Sequence, residues 1–117
     1  MKEGKLNVCG VNVDVSLQDF GVEGFYGRSD AVKGKVWIGP DQPEEQKEIT
    51  LIHELVHLIW GAFGMDKPSE TTEHMINAIA VEFYRLGFRP SKMIVSQPVK
   101  KKWGDNYGIW FYRNLSC

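Results

Sequence analysis

The first forty positions contain short runs of strand-forming residues, one of which alternates apolar and polar side chains as a strand with one buried face does. Two runs, 5–9 and 11–16, stand next to each other, and the second alternates at a period of two. This spacing predicts a half-buried hairpin. Two further strands are predicted at 24–28 and 35–38, joined by a turn over 29–34. The pattern therefore predicts a small, mostly antiparallel sheet.

From about residue 43 the apolar positions take up a helical period. A first helix is predicted to run to about Phe63, apolar on much of its circumference, with Gly64 as its C-cap. A second helix is predicted after Ser69, which serves as N-cap, and ends before Gly87. Its apolar positions share one helical spacing: Met75, Ile76, Ile79, Ala80, Phe83 and Leu86. The order of elements predicts an α+β fold in which a small sheet packs on two helices.

The first helix carries the H-E-x-x-H motif His53-Glu54-x-x-His57. At four-residue spacing the two imidazoles project from one helix face, roughly 6 Å apart at Cβ, so both can bind one tetrahedral ion. Glu54 lies about 100° around the helix, where it can contact a water molecule on that ion. This motif predicts a zinc hydrolase with Glu54 as general base.

The alternative is that these are ordinary polar residues that spell the motif by chance. Their helix is otherwise apolar, however, and burying polar groups without partners costs roughly 2–7 kcal/mol each. A metal ion would satisfy both histidines at once, and this favours a metal site.

A catalytic zinc needs a third protein ligand, and the second helix offers Glu70, Glu73 and His74. Glu73 shares the apolar stripe that is expected to face the first helix. His74 lies to one side of that stripe, and Glu70 is in the first turn. Helical geometry therefore favours Glu73, while a solvated acid that interacts with the helix dipole is the alternative explanation for this residue.

The length and net charge of the chain limit the number of domains and the classes of binding partner. The 117 residues predict one domain spanning 1–117. A formal net charge of −1 gives no electrostatic basis for binding nucleic acid. The polar start of the chain does not resemble a signal peptide, and no segment is long enough to span a membrane, so we expect a cytoplasmic protein.

The zinc helix and the pattern that follows it resemble the ImmA/IrrE-type metallopeptidases. In that family an E-x-x-x-N-x-F-A-x-x-L pattern follows the zinc helix, and here residues 73–83 contain Glu73, Asn77 and Ala80 at those positions. The chain is also similar to a compact phage and prophage branch of the group. Val56 stands where the family often has glycine, and 87–90 replace a Met-Pro that often closes the second helix.

This resemblance implies a zincin-like (gluzincin) core, with His53, His57 and Glu73 as zinc ligands and Glu54 as the base. The mechanism that fits is metal-assisted hydrolysis of a peptide bond, in which zinc activates a water molecule and Glu54 transfers its proton to the leaving amine. The family further suggests a regulatory protein substrate, such as a transcription repressor. A non-catalytic zinc-binding or protein-interaction module is the alternative, and the sequence leaves the oligomeric state open.

The sequence also offers candidates for supporting roles. An oxyanion partner is expected, and His74, Tyr26 and Arg28 are candidates by residue type. Asn77 fits either a residue that orients a ligand or a surface amide. Residues 103–112 are rich in aromatic side chains, so we expect this C-terminal arm to pack on the domain or on a partner.

Overall fold

The computed structural model describes residues 1–21, 26–65 and 67–96. Within these ranges the chain forms four strands and two long helices, which confirms the predicted α+β class. The elements are β1 (Gly4–Val8), β2 (Val11–Leu17), β3 (Gly27–Asp30), β4 (Lys35–Ile38), α1 (Glu44–Ala62) and α2 (Glu70–Arg85). A short 3₁₀ helix, Pro90–Met93, follows α2.

The strands form one mixed sheet in the order β1-β2-β4-β3. The hairpin β1–β2 and the pair β3–β4 are antiparallel, as predicted. The sequence did not predict the parallel pair β2–β4, which joins the two hairpins through Asp14 to Leu17. Parallel strands are not joined by a tight turn, so no short turn motif in the sequence indicates that they pair.

The predicted limits of the third strand were wrong. Residues 29 and 30 were expected in a turn, but Ser29 and Asp30 pair with Val36 and Lys35 of β4. The turn is confined to the four residues 31–34. Asp30 closes it by accepting the Lys33 N–H at 3.0 Å. An Asp whose side chain accepts a hydrogen bond from the following turn can therefore be the last residue of a strand as well as the first residue of a loop.

The main core lies between the inner face of the sheet and α1. Alternate residues of β1, β2 and β4 meet one side of α1 there, as the period-two pattern predicts. The buried members of this cluster are Leu6, Val13, Val15, Val36, Ile38, Leu51, Leu55, Leu58 and Ile94. A different flank of α1, with Ile49 and Ile52, packs against Ala80 of α2. Helix α1 is therefore covered on two sides, which explains why its apolar residues cover so much of its circumference.

Both helices end as predicted, at a glycine with positive φ. Gly64 has φ 74° and Gly87 has φ 98°. The Gly64 N–H bonds Gly61 O and the Met65 N–H bonds Trp60 O, and the chain forms the equivalent pair of bonds around Gly87. These are Schellman motifs, which need a left-handed residue after the C-cap. They fix the exit direction of the chain from each helix.

Helix α2 buries less apolar surface than its sequence predicts. Of its apolar positions only Ile76 and Ala80 are buried, whereas Met75, Ile79 and Phe83 are exposed among the residues that the structure describes. A helical period identifies an apolar face, but it does not say how much of that face a neighbouring element covers.

The predicted N-cap of α2 is confirmed. The Ser69 Oγ accepts the Thr72 N–H at 3.2 Å. We expect Ser69→Ala to destabilise the protein by about 1 kcal/mol, which lowers Tm by roughly 3–6 °C. Thermal denaturation measures this, with Ser69→Asp as the control because an aspartate oxygen can cap in the same way. An unchanged Tm for Ser69→Ala would show that the cap does not contribute.

After α2 the chain returns to the sheet. The buried carboxylate of Glu48 accepts hydrogen bonds from the Ser91 Oγ (2.8 Å) and the Ser91 N–H (3.3 Å). Val95 then pairs with Lys5 of β1 through two backbone hydrogen bonds of 2.9 and 2.8 Å. These contacts hold 91–95 beside the core.

The predicted aromatic arm, 103–112, lies outside the described residues. Within residues 1–21, 26–65 and 67–96, neither helix combines the length and the apolar content that crossing a bilayer requires.

Candidate metal centre and catalytic carboxylate

Two histidines of α1 converge on one point because they are one helical turn apart. The Nε2 atoms of His53 and His57 are 3.1 Å apart, and the ring centroids are 4.9 Å apart. Both side chains are partly buried. The spacing in sequence thus produces the juxtaposition that the H-E-x-x-H motif predicts.

Glu73 reaches the same point from α2. Its Oε1 lies 2.8 Å from Nε2 of His53 and 2.7 Å from Nε2 of His57. Ala80 packs against Ile49 and Ile52 of α1, and Ile76 is buried on the same side of α2. This side of α2 therefore faces α1, and Glu73 shares it because Ile76 and Ala80 follow Glu73 by three and seven positions. The alternatives Glu70 and His74 are exposed, and neither belongs to the cluster.

The donor set fits a small tetrahedral cation. His53, His57 and Glu73 each offer one ligand atom, and these three atoms lie within 4.8 Å of one another. They are therefore close enough to bind a single metal ion. Two nitrogens bound at about 2.0 Å to a tetrahedral zinc lie roughly 3.3 Å apart, close to the 3.1 Å between these rings. Two imidazoles and one carboxylate could therefore hold a metal and leave a fourth position for water.

The pKa of Glu73 reflects this setting. Burial alone would raise the pKa of its carboxyl, but hydrogen bonds from His57 and His53, and the charges of these rings when protonated, lower it below the usual value. The carboxylate form is the one that binds a cation.

Glu54 lies on the side of α1 that faces β3. Burial raises the pKa of its carboxyl, while the charges of His53 and His57 and a hydrogen bond from the Ser29 side chain act in the opposite direction. The net effect is a raised pKa, which moves the carboxyl toward the range of an effective general base at neutral pH.

Nothing in the local sequence indicates that Ser29 belongs to this site, because Ser29 lies in the predicted turn 29–34. Only the pairing of β3 with β4 brings its side chain to Glu54.

Gly27 allows β3 to approach α1 closely at this point. A Cβ on Gly27 would lie 2.7 Å from the Thr50 Cγ2, 3.0 Å from the Trp37 carbonyl oxygen and 3.1 Å from the Glu54 Cγ. Contacts under 3.0 Å force atoms to shift, so any side chain here would push the strand away from the helix. The absence of a side chain at Gly27 therefore sets the distance between β3 and Glu54.

A cleft of about 200 Å³ opens beside His53 and Glu54. Its lining comes from the start of β3 and the residue before it, from α1 and from α2: Tyr26, Gly27, Gln46, Ile49, Thr50, His53, Glu54 and Asn77. Of the predicted oxyanion candidates, Tyr26 lines the cleft, whereas Arg28 and His74 are exposed and do not. Asn77 also lines it, so this amide faces the space beside the candidate metal centre.

The fold and the site together have the features of an H-E-x-x-H metallopeptidase: a mixed sheet, a helix with both histidines and the glutamate, and a second helix with a further acid. Residues 10–84, more than half of the chain, match the family model described as the IrrE N-terminal-like domain, Peptidase_M78. The chain belongs to this ImmA/IrrE metallopeptidase family, which confirms the resemblance inferred from the motifs. No curated protein and no solved structure matches the chain.

The raised pKa of Glu54 predicts a pH-dependent effect on stability. A carboxyl whose folded pKa lies above its unfolded value favours folding while it is protonated, and this contribution is lost as pH rises through the folded pKa. In chelator-treated protein, Glu54→Gln should therefore be more stable than the parent at pH 7, because glutamine carries no buried charge. The difference in Tm should shrink toward zero near pH 4.

Thermal melts of both proteins across this pH range test the prediction. Equal Tm values at pH 7, or a difference that grows on acidification, would contradict the raised pKa.

Proposed function

We propose that the protein is a zinc-dependent peptidase that hydrolyses peptide bonds of a protein substrate. His53, His57 and Glu73 are the zinc ligands, and Glu54 is the catalytic base. The observation that carries the proposal is the convergence of both Nε2 atoms and the Glu73 Oε1 within 3.1 Å of each other, next to a carboxyl with a raised pKa. Membership of the M78 family supports the same chemistry.

A zinc ion bound here supplies Lewis-acid chemistry, which makes water a better nucleophile and polarises the scissile carbonyl. Glu54 accepts a proton from the attacking water and then donates it to the nitrogen of the leaving amine. Ser29 keeps the carboxylate aimed into the cleft through its hydrogen bond. The partial burial of Glu54 and the histidines limits the access of bulk water, and this strengthens the electrostatic effect of each group.

The edge of β3 is suited to hold an extended peptide. In the described part of the chain, β3 pairs with β4 on one side and has no strand on the other. Gly27 of this strand lies against Glu54, so a peptide added along the edge would run past the catalytic carboxylate. Main-chain hydrogen bonds along a strand edge bind peptides with little dependence on their sequence. Tyr26 and Asn77 line the cleft next to this edge and are placed to contact the bound chain.

We further propose that the substrate is a cytoplasmic regulatory protein, such as a transcription repressor. The family resemblance supports this substrate class. That the protein belongs to the compact phage branch of the family is also a proposal, and it rests on the same resemblance. The zincin-like core is part of the same proposal, supported by the helix pair and the mixed sheet.

Incubation with a peptide library tests the activity. We expect the zinc-loaded protein to generate new peptide termini, detected by mass spectrometry, and the chelator-treated protein to generate none until zinc is restored. His74→Ala is the matched control, because it removes an exposed histidine of α2 and should leave cleavage intact. If the protein binds zinc stoichiometrically but cleaves neither the library nor candidate repressors, the non-catalytic zinc-binding module becomes the better description.

A further inference from the structure

Helix α2 presents an apolar stripe that no described element covers. Met75, Ile79, Phe83 and Leu86 recur every three or four residues and therefore share one side of the helix. Their exposed fractions are 57%, 42%, 45% and 81%. Single exposed apolar residues are common, but a row of four along one helix marks a surface that another element covers.

The stripe is separate from the candidate active site. Asn77 lines the cleft, and Ile79 lies about 160° around the helix axis from Asn77. Anything that covers the stripe therefore leaves the cleft open. A role in positioning substrate does not explain these four side chains.

We propose that residues 103–112 of the same chain dock on this stripe. The segment contains Trp103, Tyr107, Ile109, Trp110, Phe111 and Tyr112, and each aromatic side chain can bury about 150–250 Å². The segment therefore has enough apolar surface to cover the stripe. In the sequence, the lysines at 100–102 lie between Val95 and this segment.

The chain passes the C-terminal end of the stripe before it leaves the described structure. Phe88 packs edge-on against Phe83 with ring centroids 6.0 Å apart, so the segment after α2 already extends the stripe at its C-terminal end. The chain is then held at Val95, beside β1. Residues 97–102 can span roughly 20 Å when extended, so the segment that follows them is tethered close to the domain.

A second copy of the protein is a poorer occupant. Four partly exposed side chains offer on the order of 400 Å², about half of the 800 Å² per partner that a standard stable interface buries. A docked segment of the same chain needs less area, because it loses far less translational freedom than a separate molecule.

Photo-crosslinking in the full chain tests the contact. Phe83→p-benzoylphenylalanine keeps a ring at the centre of the stripe, and we expect irradiation to join it to peptides from 103–112 within one molecule. Ala78→p-benzoylphenylalanine, on the exposed polar side of α2, is the matched control and should give no such product. Crosslinks that form a dimer, or the absence of any crosslink to 103–112, would overturn the proposal.

A double-mutant cycle tests the energetics in the same full-length protein. Ile79→Gln and Trp110→Gln should each lower Tm by roughly 3–6 °C, and the double variant should lose clearly less than the sum, because both remove the same contact. Val32→Gln, at a position that is 97% exposed, should leave Tm unchanged. Additive effects, or an unchanged Tm for Ile79→Gln, would show that the stripe is in water or is covered by something else.

Discussion

His53→Ala should lose both bound zinc and peptide hydrolysis. The substitution removes one of the two nitrogens that lie 3.1 Å apart and leaves an incomplete ligand set. Changes in residues that only support ligands reduce metal affinity by about 10–100-fold, so we expect the loss of a ligand itself to exceed 100-fold. Metal content of the purified protein and a competition assay with a chromophoric chelator measure the effect.

The role of Glu73 as a ligand is tested by two alanine substitutions on α2. Glu73→Ala should lose the metal in the same way, whereas Glu70→Ala should keep one equivalent, because Glu70 is exposed and does not belong to the cluster. A zinc-bound structure with Glu70 or His74 in place of Glu73 would refute the ligand assignment. A protein that stays free of metal at full zinc supply would refute the proposed function as a whole.

Glu54→Gln should separate metal binding from chemistry. Glutamine has nearly the same shape but cannot take a proton from water, so hydrolysis should fall by about 10²–10⁴ while zinc content stays at one equivalent. Initial rates on a cleaved peptide, together with metal analysis, give both quantities. The same change at the exposed Glu45 of α1 is the control and should alter neither.

Retained turnover in Glu54→Gln would show that another group accepts the proton, and the mechanism proposed for this site would be wrong. Loss of zinc in the same variant would show instead that Glu54 contributes to the metal site.

Local periodicity was enough to predict the centre of the site. His53 and His57 meet because four residues make about one helical turn, and this holds wherever the helix packs. Glu73 required one more step, namely that the stripe of Ile76, Ala80 and Phe83 would face α1. The structure buries Ile76 and Ala80 but leaves Phe83 exposed. These predictions depended on the geometry within each helix and on which side of α2 packs against α1.

The features that the sequence did not reveal depend on contacts between distant segments. Ser29 reaches Glu54 only because β3 extends through Asp30 and pairs with β4. The parallel pairing of β2 with β4 sets the order of the sheet, yet nothing local encodes it. Likewise, the spacing of Met75, Ile79 and Phe83 suggested one buried face, whereas coverage depends on what else packs there.

The division of the site between two helices has a consequence for how fast a metal can leave. Helix α1 supplies both histidines, but the third group comes from α2, which buries only Ile76 and Ala80 of its own residues. With so few buried contacts to the described core, α2 can detach locally at lower free energy than the core can unfold. We therefore expect zinc release to follow the opening rate of α2, so that a substitution such as Ala80→Gly shortens the lifetime of the bound ion although it changes no ligand.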